Sequence, residues 1–175
     1  MKPLLLSLCI SIALMSLAHA EDQQQQMWRL YTEYVSQESL KSTPEIRVPE
    51  LLSMTKNQYV LVDVREKKEI QVSIIPGALT QNQFEQKIDE YRDATVIVYC
   101  TIGYRSGHYV NTLRGQNIDA YNLAGGVLAW AHAGQLFNKA GRESIKVHVY
   151  GEQWDLLPSG YESIYERSWF NTLFN

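Results

Sequence analysis

The chain has 175 residues, with 16 Lys or Arg against 19 Asp or Glu, so its formal net charge is −3 at pH 7. This near balance excludes the strongly basic surface that nucleic acid or an anionic membrane would require, and it favours a small substrate. Hydrophobic residues make up 45% of the chain, which is enough for one folded domain with its own core.

The first twenty residues have the pattern of an export signal. Lys2 precedes an apolar run over residues 4–18, and Ala18-His19-Ala20 has the small-x-small spacing that a signal peptidase accepts. The run is shorter than the ~20 apolar residues that span a bilayer, so we expect cleavage after Ala20; an uncleaved anchor is the alternative. The mature protein is then expected outside the cytoplasm, in a periplasm, without membrane attachment.

Signal cleavage leaves a single cysteine. The full chain has two, Cys9 inside the apolar run and Cys100. A lone cysteine in an exported protein forms no internal disulfide, so Cys100 is buried, paired with another chain, or reactive. The residues that follow Cys100 decide between these three states.

After the signal, the pattern alternates between helix and strand. Residues 21–26 are rich in glutamine and are expected to start disordered, whereas residues 27–40 carry apolar side chains at helical spacing. A short strand is predicted over residues 45–48. A short helix over residues 49–54 follows, with Pro49 in its first turn.

Two continuous apolar runs predict central strands at residues 59–64 and 94–100, because a strand that is covered on both faces does not alternate. Helices are predicted over residues 80–91 and 106–115, the second with Gly115 as its stop signal.

A further strand is predicted over residues 120–123, and a Gly-Gly pair leads from it into a short helix over residues 127–132. The pattern then weakens to one candidate strand at residues 145–150 and an aromatic tail, whose rings are expected to cover a core. This order of strands and helices predicts an α/β domain with a mainly parallel sheet.

Four ordered motifs carry a resemblance to a known family. They are Asp63-Val64-Arg65 with Glu69, Ile75-Pro76-Gly77-Ala78, Cys100-Thr101-Ile102-Gly103-Tyr104-Arg105-Ser106, and Leu123-Ala124-Gly125-Gly126 with Trp130 and Ala133-Gly134. In this order and spacing the motifs resemble the rhodanese domain of sulfurtransferases. The resemblance implies a three-layer α/β fold with a central parallel five-stranded sheet flanked by helices.

The resemblance covers about residues 45–134, and together with the signal pattern it gives the expected domain boundaries. A signal peptide at residues 1–20 and an N-terminal helical extension at residues 21–44 precede the rhodanese-like domain at residues 45–134. A C-terminal extension at residues 135–175 is expected to pack on that domain.

The loop after Cys100 suits sulfur chemistry by its own residues. If Cys100 ends a strand and Ser106 opens a helix, the amides of residues 101–106 surround the sulfur, and the helix N-terminus adds partial positive charge. That environment favours thiolate over thiol. Gly103 fits a sharp turn, and Ser106 is the predicted N-cap. Arg105 either steers an anionic donor or pins the loop by pairing with a carboxylate.

The resemblance implies a catalytic role for Cys100. Its thiolate would take the outer sulfur of an anionic donor of the thiosulfate type and pass it, through a persulfide, to a thiol or cyanide acceptor. The loop that would bind the donor consists of Thr101, Ile102, Gly103, Tyr104, Arg105 and Ser106. Asp63 is expected to order this loop or to contact Arg105, whereas Arg65 and Glu69 look like structural ion-pair positions.

We expect neither a metal nor a cofactor. His132 and His148 have no spaced partners that would build a metal site, and His108 is expected to face solvent, since persulfide transfer needs little proton traffic. In an oxidising compartment a reactive thiol needs a reductant or a persulfide cycle, so a periplasmic redox or sulfur-acceptor protein is an expected partner.

Two other functions stay open. A cysteine phosphatase or an arsenate reductase has a related anion-binding loop, but such phosphatases place more residues between cysteine and arginine than Thr101 to Tyr104. A non-turnover sulfur carrier or a partner-binding rhodanese module is the other alternative. It rests on the two extensions and on Ser73-Ile74, which stand where the family pattern has Gly-His.

Overall fold

The computed structural model describes residues 23–166, so the predicted signal segment and the last nine residues of the predicted C-terminal extension, 167–175, lie outside the described residues. Helix α1 covers residues 23–35 of this part of the chain. The expectation of disorder was therefore wrong for residues 23–26. Glutamine is a good helix former, and the next residue, Met27, is fully buried and anchors this end of the helix. Across residues 23–166, none of the helices has the length and apolar character of a membrane span.

A five-stranded sheet lies at the centre, and its strand order is β1-β5-β4-β2-β3. The strands are β1 (Glu45–Ile46), β2 (Tyr59–Asp63), β3 (Leu79–Thr80), β4 (Thr95–Tyr99) and β5 (Ala120–Leu123). All neighbouring strands pair in parallel, which confirms the predicted fold class. The individual predictions did not include β3, which has only two residues.

Helices cover both faces of the sheet. They are α2 (Val48–Ser53), α3 (Lys67–Ile70), α4 (Gln81–Glu85), α5 (Tyr104–Gly115) and α6 (Gly126–His132). Along β4, Ile97 and Tyr99 join a core cluster with α1, α2 and α6, whereas Val96 and Val98 join a second cluster with α4 and α5. Burial on both faces explains why this strand is a continuous apolar run.

The helix predicted over residues 80–91 is interrupted. Helix α4 ends at Glu85, and a separate 3-10 turn spans Ile88–Tyr91. The backbone of Lys87 leaves the helical region between them, with φ −129° and ψ 21°. Phe84 and Tyr91 still stack, with ring centroids 5.7 Å apart, so the apolar spacing reflects a shared packing face and not one continuous helix.

The described part of the C-terminal extension, residues 135–166, packs on the domain. It contains the antiparallel pair β6 (Phe137–Lys139) and β7 (Arg142–Ser144), and the parallel pair β8 (Lys146–His148) and β9 (Glu162–Ile164). It docks where the chain departs from the family pattern. The Ser73 hydroxyl donates to the Lys146 carbonyl at 2.5 Å, and the Ile74 amide donates to the Asn138 carbonyl at 2.9 Å.

Candidate active site

Cys100 follows β4 directly and lies at the carboxyl end of the central strands, where parallel α/β folds place their sites. It is a free cysteine with only 1% of its surface exposed. The backbone amide of Gly103 donates a hydrogen bond to Cys100 Sγ at 3.1 Å. Within residues 23–166, Gly103 is the one member of the predicted ring of amides that donates a hydrogen bond to the sulfur.

Helix α5 begins at Tyr104, two residues earlier than predicted, and its N-cap is Gly103. Gly103 has φ +115°, a conformation that glycine adopts without a Cβ penalty, and its carbonyl accepts from the Gly107 amide at 3.0 Å. The predicted N-cap role of Ser106 was therefore wrong. The buried Ser106 hydroxyl instead donates to Asn122 Oδ1 at 2.7 Å and ties the first turn of α5 to β5.

The Gly-Gly motif holds the carbonyl groups of the loop. The Val127 amide donates to the Cys100 carbonyl at 3.0 Å, and the Leu128 amide donates to the Thr101 carbonyl at 3.3 Å. Gly126 has φ +50°, and a Cβ on it would lie 2.2 Å from the Cys100 carbonyl oxygen. Only glycine permits this approach, so the start of α6 fixes the backbone on which the sulfur is carried.

Two side chains that the sequence did not single out support Gly103. Asn122 Nδ2 donates to the Gly103 carbonyl at 2.9 Å, and the Tyr31 ring from α1 packs directly against the Gly103 Cα. The Tyr31 hydroxyl donates to the Glu45 carboxylate. Asn122 could have been singled out from the sequence, because it is a polar residue in an otherwise apolar strand. Tyr31 was predicted only as one of the apolar residues of the first helix.

Arg105 pins the loop, which was one of its two predicted roles. Its Nη1 and Nη2 donate to the two carboxylate oxygens of Glu69 at 2.7 and 2.8 Å, and Nη2 also approaches the Thr101 hydroxyl at 3.2 Å. The Thr101 hydroxyl donates to Glu69 Oε1 at 3.1 Å. Glu69 is fully buried, so the carboxylate joins the loop to helix α3 from inside the protein.

Burial is the largest single influence on the pKa of each member of this pair, but hydrogen bonds and neighbouring charges together outweigh it. Burial raises the pKa of Glu69, but hydrogen bonds from Arg105 and the Glu66 amide, with the charges of Arg105 and Arg65, bring that pKa below its ordinary value. Burial lowers the pKa of Arg105, yet its hydrogen bond to Glu69 and the negative charge of a Cys100 thiolate raise that pKa above its ordinary value. Both side chains are therefore ionised at neutral pH.

In the described residues Asp63 forms no hydrogen bond or ion pair with Arg105, so the expected contact was wrong; its alternative role of ordering the loop stays a prediction. Its carboxylate accepts from Arg65 Nη2 at 2.7 Å and from the Arg65 amide at 3.0 Å, and both side chains are fully buried. Arg65 Nη2 also donates to the Ser73 carbonyl at 2.7 Å. The chain turns back two residues after Asp63, so the Arg65 guanidinium, and not that of Arg105, lies within reach of the Asp63 carboxylate. Arg65 and Glu69 thus occupy separate ion pairs.

A cavity of about 320 Å³ opens over Cys100. Its lining residues are Tyr34, Cys100, Thr101, Ile102, Tyr104, Arg105, Tyr150, Gln153 and Trp154. Of the predicted loop, Gly103 and Ser106 lie behind this surface. Four of the lining residues were not predicted to lie at the site: Tyr34, Tyr150, Gln153 and Trp154. Their only signal in the sequence was the aromatic content of the two extensions.

His108 is exposed, as predicted, and its ring contacts the Tyr104 ring edge-on with centroids 4.9 Å apart. His132 and His148 lie outside the cavity. In residues 23–166, no three His, Cys, Asp or Glu side chains group in a way that could hold a metal ion.

Comparison with known proteins agrees with this geometry. The family model of the rhodanese-like domain matches residues 48–133. The chain is 30% identical over 102 residues to a tRNA sulfurtransferase of Desulfurococcus amylolyticus, a match that covers 57% of this chain and 21% of that protein. A thiosulfate sulfurtransferase from Pseudomonas aeruginosa shares the fold, with a TM-score of 0.53 at 23% identity, over 64% of this chain and 23% of the other.

A rhodanese-like domain protein from Staphylococcus aureus is 27% identical, with a TM-score of 0.47, over 55% of this chain and 97% of the other. This chain thus spans less than a quarter of the two sulfurtransferases and nearly all of the Staphylococcus aureus protein.

Proposed function

Because residues 48–133 belong to the rhodanese-like domain family, we propose that this protein is a sulfurtransferase that carries a sulfane sulfur on Cys100 as a persulfide. The observation that carries the proposal is the position of Cys100 Sγ. The sulfur accepts a hydrogen bond from the Gly103 amide at 3.1 Å. It lies beside the N-terminus of α5, and Cys100 lines a cavity. A fixed amide and a helix N-terminus both stabilise negative charge on sulfur.

The proposed reaction has two half-reactions. The Cys100 thiolate attacks the outer sulfur of thiosulfate; the S–S bond of the donor breaks, and sulfite leaves with the bonding electron pair. Cyanide or a thiolate then attacks the outer sulfur of the persulfide, whose S–S bond breaks to return the Cys100 thiolate. The sulfane sulfur keeps its oxidation state throughout, so neither half-reaction consumes an oxidant or a reductant.

The chain supplies two kinds of support for this cycle. The Gly103 amide contacts the sulfur directly, so it stabilises both the thiolate and the persulfide. Arg105 acts mainly through its ion pair with Glu69, which fixes the first turn of α5 and keeps a positive charge close to the sulfur.

The direct test is persulfide formation on the purified protein. Incubation with thiosulfate should add the mass of one sulfur atom, as measured by intact mass spectrometry, and Cys100→Ser should gain none. Cyanide should then remove the sulfur as thiocyanate over repeated cycles. If thiosulfate, mercaptopyruvate and polysulfide all fail to add sulfur to the folded protein, the proposal is wrong.

A non-turnover sulfur carrier is the second candidate. It is favoured by the enclosure of Cys100, since the two extensions cover the site with Tyr34, Tyr150 and Trp154 and leave the cysteine 1% exposed. A carrier would take up one sulfur per chain and release it slowly to all small acceptors. Turnover measured with several acceptors, beside the amount of sulfur loaded, separates the two functions.

A phosphatase is less well supported, because Arg105 is engaged by Glu69 through both terminal nitrogens. Hydrolysis of an aryl phosphate that is lost in Cys100→Ser would favour it over a sulfurtransferase.

The proposal includes export from the cytoplasm, because residues 1–20 have the pattern of a signal peptide. A mature N-terminus at Glu21, found in the periplasmic fraction of a bacterial host, would support cleavage. A full-length chain retained in the membrane fraction would support the anchor instead. A periplasmic redox or sulfur-acceptor protein remains the proposed macromolecular partner.

A further inference from the structure

Three aromatic rings form one side of the cavity over Cys100, and we refer to Tyr34, Tyr104 and Trp154 as the aromatic wall. The ring centroid of Tyr34 lies 5.2 Å from that of Tyr104 and 5.2 Å from that of Trp154. Tyr34 and Trp154 lie outside the rhodanese-like residues 48–133. The two extensions therefore contribute most of a surface that faces the reacting cysteine.

Away from the sulfur itself, the same cavity offers little to a charged group. Among the described residues that line it, Arg105 is the one with a charged side chain, and both of its terminal nitrogens donate to Glu69. The Thr101 hydroxyl also donates to Glu69. An anionic substituent would therefore compete with a buried carboxylate for its hydrogen bonds.

The access route limits the size of a substrate. Cys100 is buried under the loop, so a molecule reaches its sulfur through the cavity of about 320 Å³, a volume that fits a small organic compound. Tyr150 also lines this cavity and is exposed to solvent. Its ring centroid lies 5.2 Å from Arg105 Cζ, and its amide donates to His148 Nδ1 at 3.1 Å. Tyr150 has φ +70°, a conformation unusual for a residue other than glycine.

We propose that the sulfur acceptor is a low-molecular-weight thiol with an apolar substituent of about the size of one ring, which packs against the aromatic wall. Tyr34 and Trp154 are then specificity-determining residues of the second half-reaction. The inference rests on the proposed sulfurtransferase function. In this step the acceptor thiolate bonds to the outer sulfur of the persulfide, the S–S bond breaks, and Cys100 leaves as a thiolate; the product is an organic persulfide.

The test compares acceptors on preloaded protein. Persulfide is formed with thiosulfate, the excess donor is removed, and loss of the sulfur is followed by intact mass with benzyl mercaptan, 2-mercaptoethanol or cyanide. We expect the benzyl-to-mercaptoethanol rate ratio to be about tenfold higher than the same ratio for glutathione persulfide in solution, because stacked aromatic pairs contribute factors of this order.

Two variants assign that preference to the aromatic wall. Tyr34→Ala should return the benzyl-to-mercaptoethanol ratio to the solution value, and Trp154→Phe, which keeps a ring and most of the packing, should keep part of it. Tyr161→Ala is the matched control, because it removes a tyrosine of the C-terminal extension that packs against Phe137 and does not line the cavity. It should leave the ratio unchanged.

A second readout does not depend on sulfur transfer. Alkylation of Cys100 by N-benzyl iodoacetamide, compared with iodoacetamide, should show the same preference for the ring, and Tyr34→Ala should remove it. Absence of persulfide together with selective alkylation would overturn the proposed function but support the selectivity of the cavity. Ratios equal to those in solution, in both measurements and in the wild-type protein, would overturn the inference.

Discussion

Arg105 and Glu69 form a two-point ion pair, with Nη1 and Nη2 donating to the two carboxylate oxygens at 2.7 and 2.8 Å. Glu69 is fully buried, whereas 30% of the Arg105 side chain is exposed. Glu69 Oε2 also accepts the Glu66 amide at 2.9 Å, which closes the start of helix α3. The pair therefore connects α3 to the first turn of α5, next to the cysteine.

The first prediction concerns this pair as a structural clamp. Arg105→Ala leaves the buried Glu69 carboxylate without its cation, and removal of one partner from a buried ion pair costs roughly 3–5 kcal/mol; because Arg105 is partly exposed, we expect about 3 kcal/mol. The double variant Arg105→Met with Glu69→Met should recover most of this loss, since neither charge remains. Urea unfolding followed by circular dichroism measures both. Equal losses in the single and double variants would contradict the clamp.

The second prediction follows from the lowered pKa of Glu69, whose ordinary value is 4.5. Above that pH the group is ionised in both the folded and the unfolded chain, and its contribution to stability is complete. As the pH falls below 4.5, the unfolded chain takes up the proton first, so this contribution is lost as the pH passes through the folded-state pKa. The free energy of unfolding, measured from about pH 6 to about pH 3, should fall more steeply in the wild-type protein than in Glu69→Gln. Parallel curves would show that Glu69 is not the group responsible.

The central strands could be predicted because a strand buried on both faces is a continuous apolar run in the sequence itself. Every side chain from Val96 to Tyr99 is buried, so β4 is an unbroken apolar run, and a cysteine at its end falls at the carboxyl edge of a parallel sheet. The candidate catalytic cysteine and its loop could thus be placed from a short stretch of sequence.

The choice of ion-pair partners was not predictable in this way. Asp63 and Glu69 are both carboxylates, and Arg65 and Arg105 are both guanidinium groups, so residue type does not say which pairs form. The path of the chain decides: Arg65 turns back on Asp63, while α3 carries Glu69 to the loop. The aromatic wall was missed for the same reason, because Tyr34 and Trp154 meet only after both extensions have folded onto the domain.

The third prediction concerns the close contact at Gly103. A Cβ at this position would lie 2.7 Å from Tyr31 Cε2, and the backbone has φ +115°. Gly77 is a matched control, since it has φ +83° and no atom within 4 Å of an added Cβ. Gly77→Ala should cost about 1–2 kcal/mol from the backbone alone. Gly103→Ala should cost about 1–3 kcal/mol more from overpacking.

Gly103→Ala should also slow persulfide loading, because relief of the contact moves the amide that donates to Cys100 Sγ. Thermal unfolding and the rate of mass gain with thiosulfate measure the two effects. Equal stability losses in Gly103→Ala and Gly77→Ala would mean that Tyr31 moves away freely and does not fix the loop.

The last prediction separates Asp63 from the chemistry. Asp63→Asn keeps the shape of the side chain but leaves the fully buried Arg65 without a counter-charge, so the free energy of unfolding should fall by roughly 3–5 kcal/mol. Asp63 contacts Arg65, and Arg65 reaches Ser73 rather than the loop, so persulfide loading at a temperature where the variant stays folded should change by less than about twofold. Loading that slows tenfold or more (about 1.4 kcal/mol), with little loss of stability, would return Asp63 to the role of ordering the loop. The two measurements must be made on the same preparation, because only their combination distinguishes a side chain that holds β2 to residue 73 from one that acts on the sulfur.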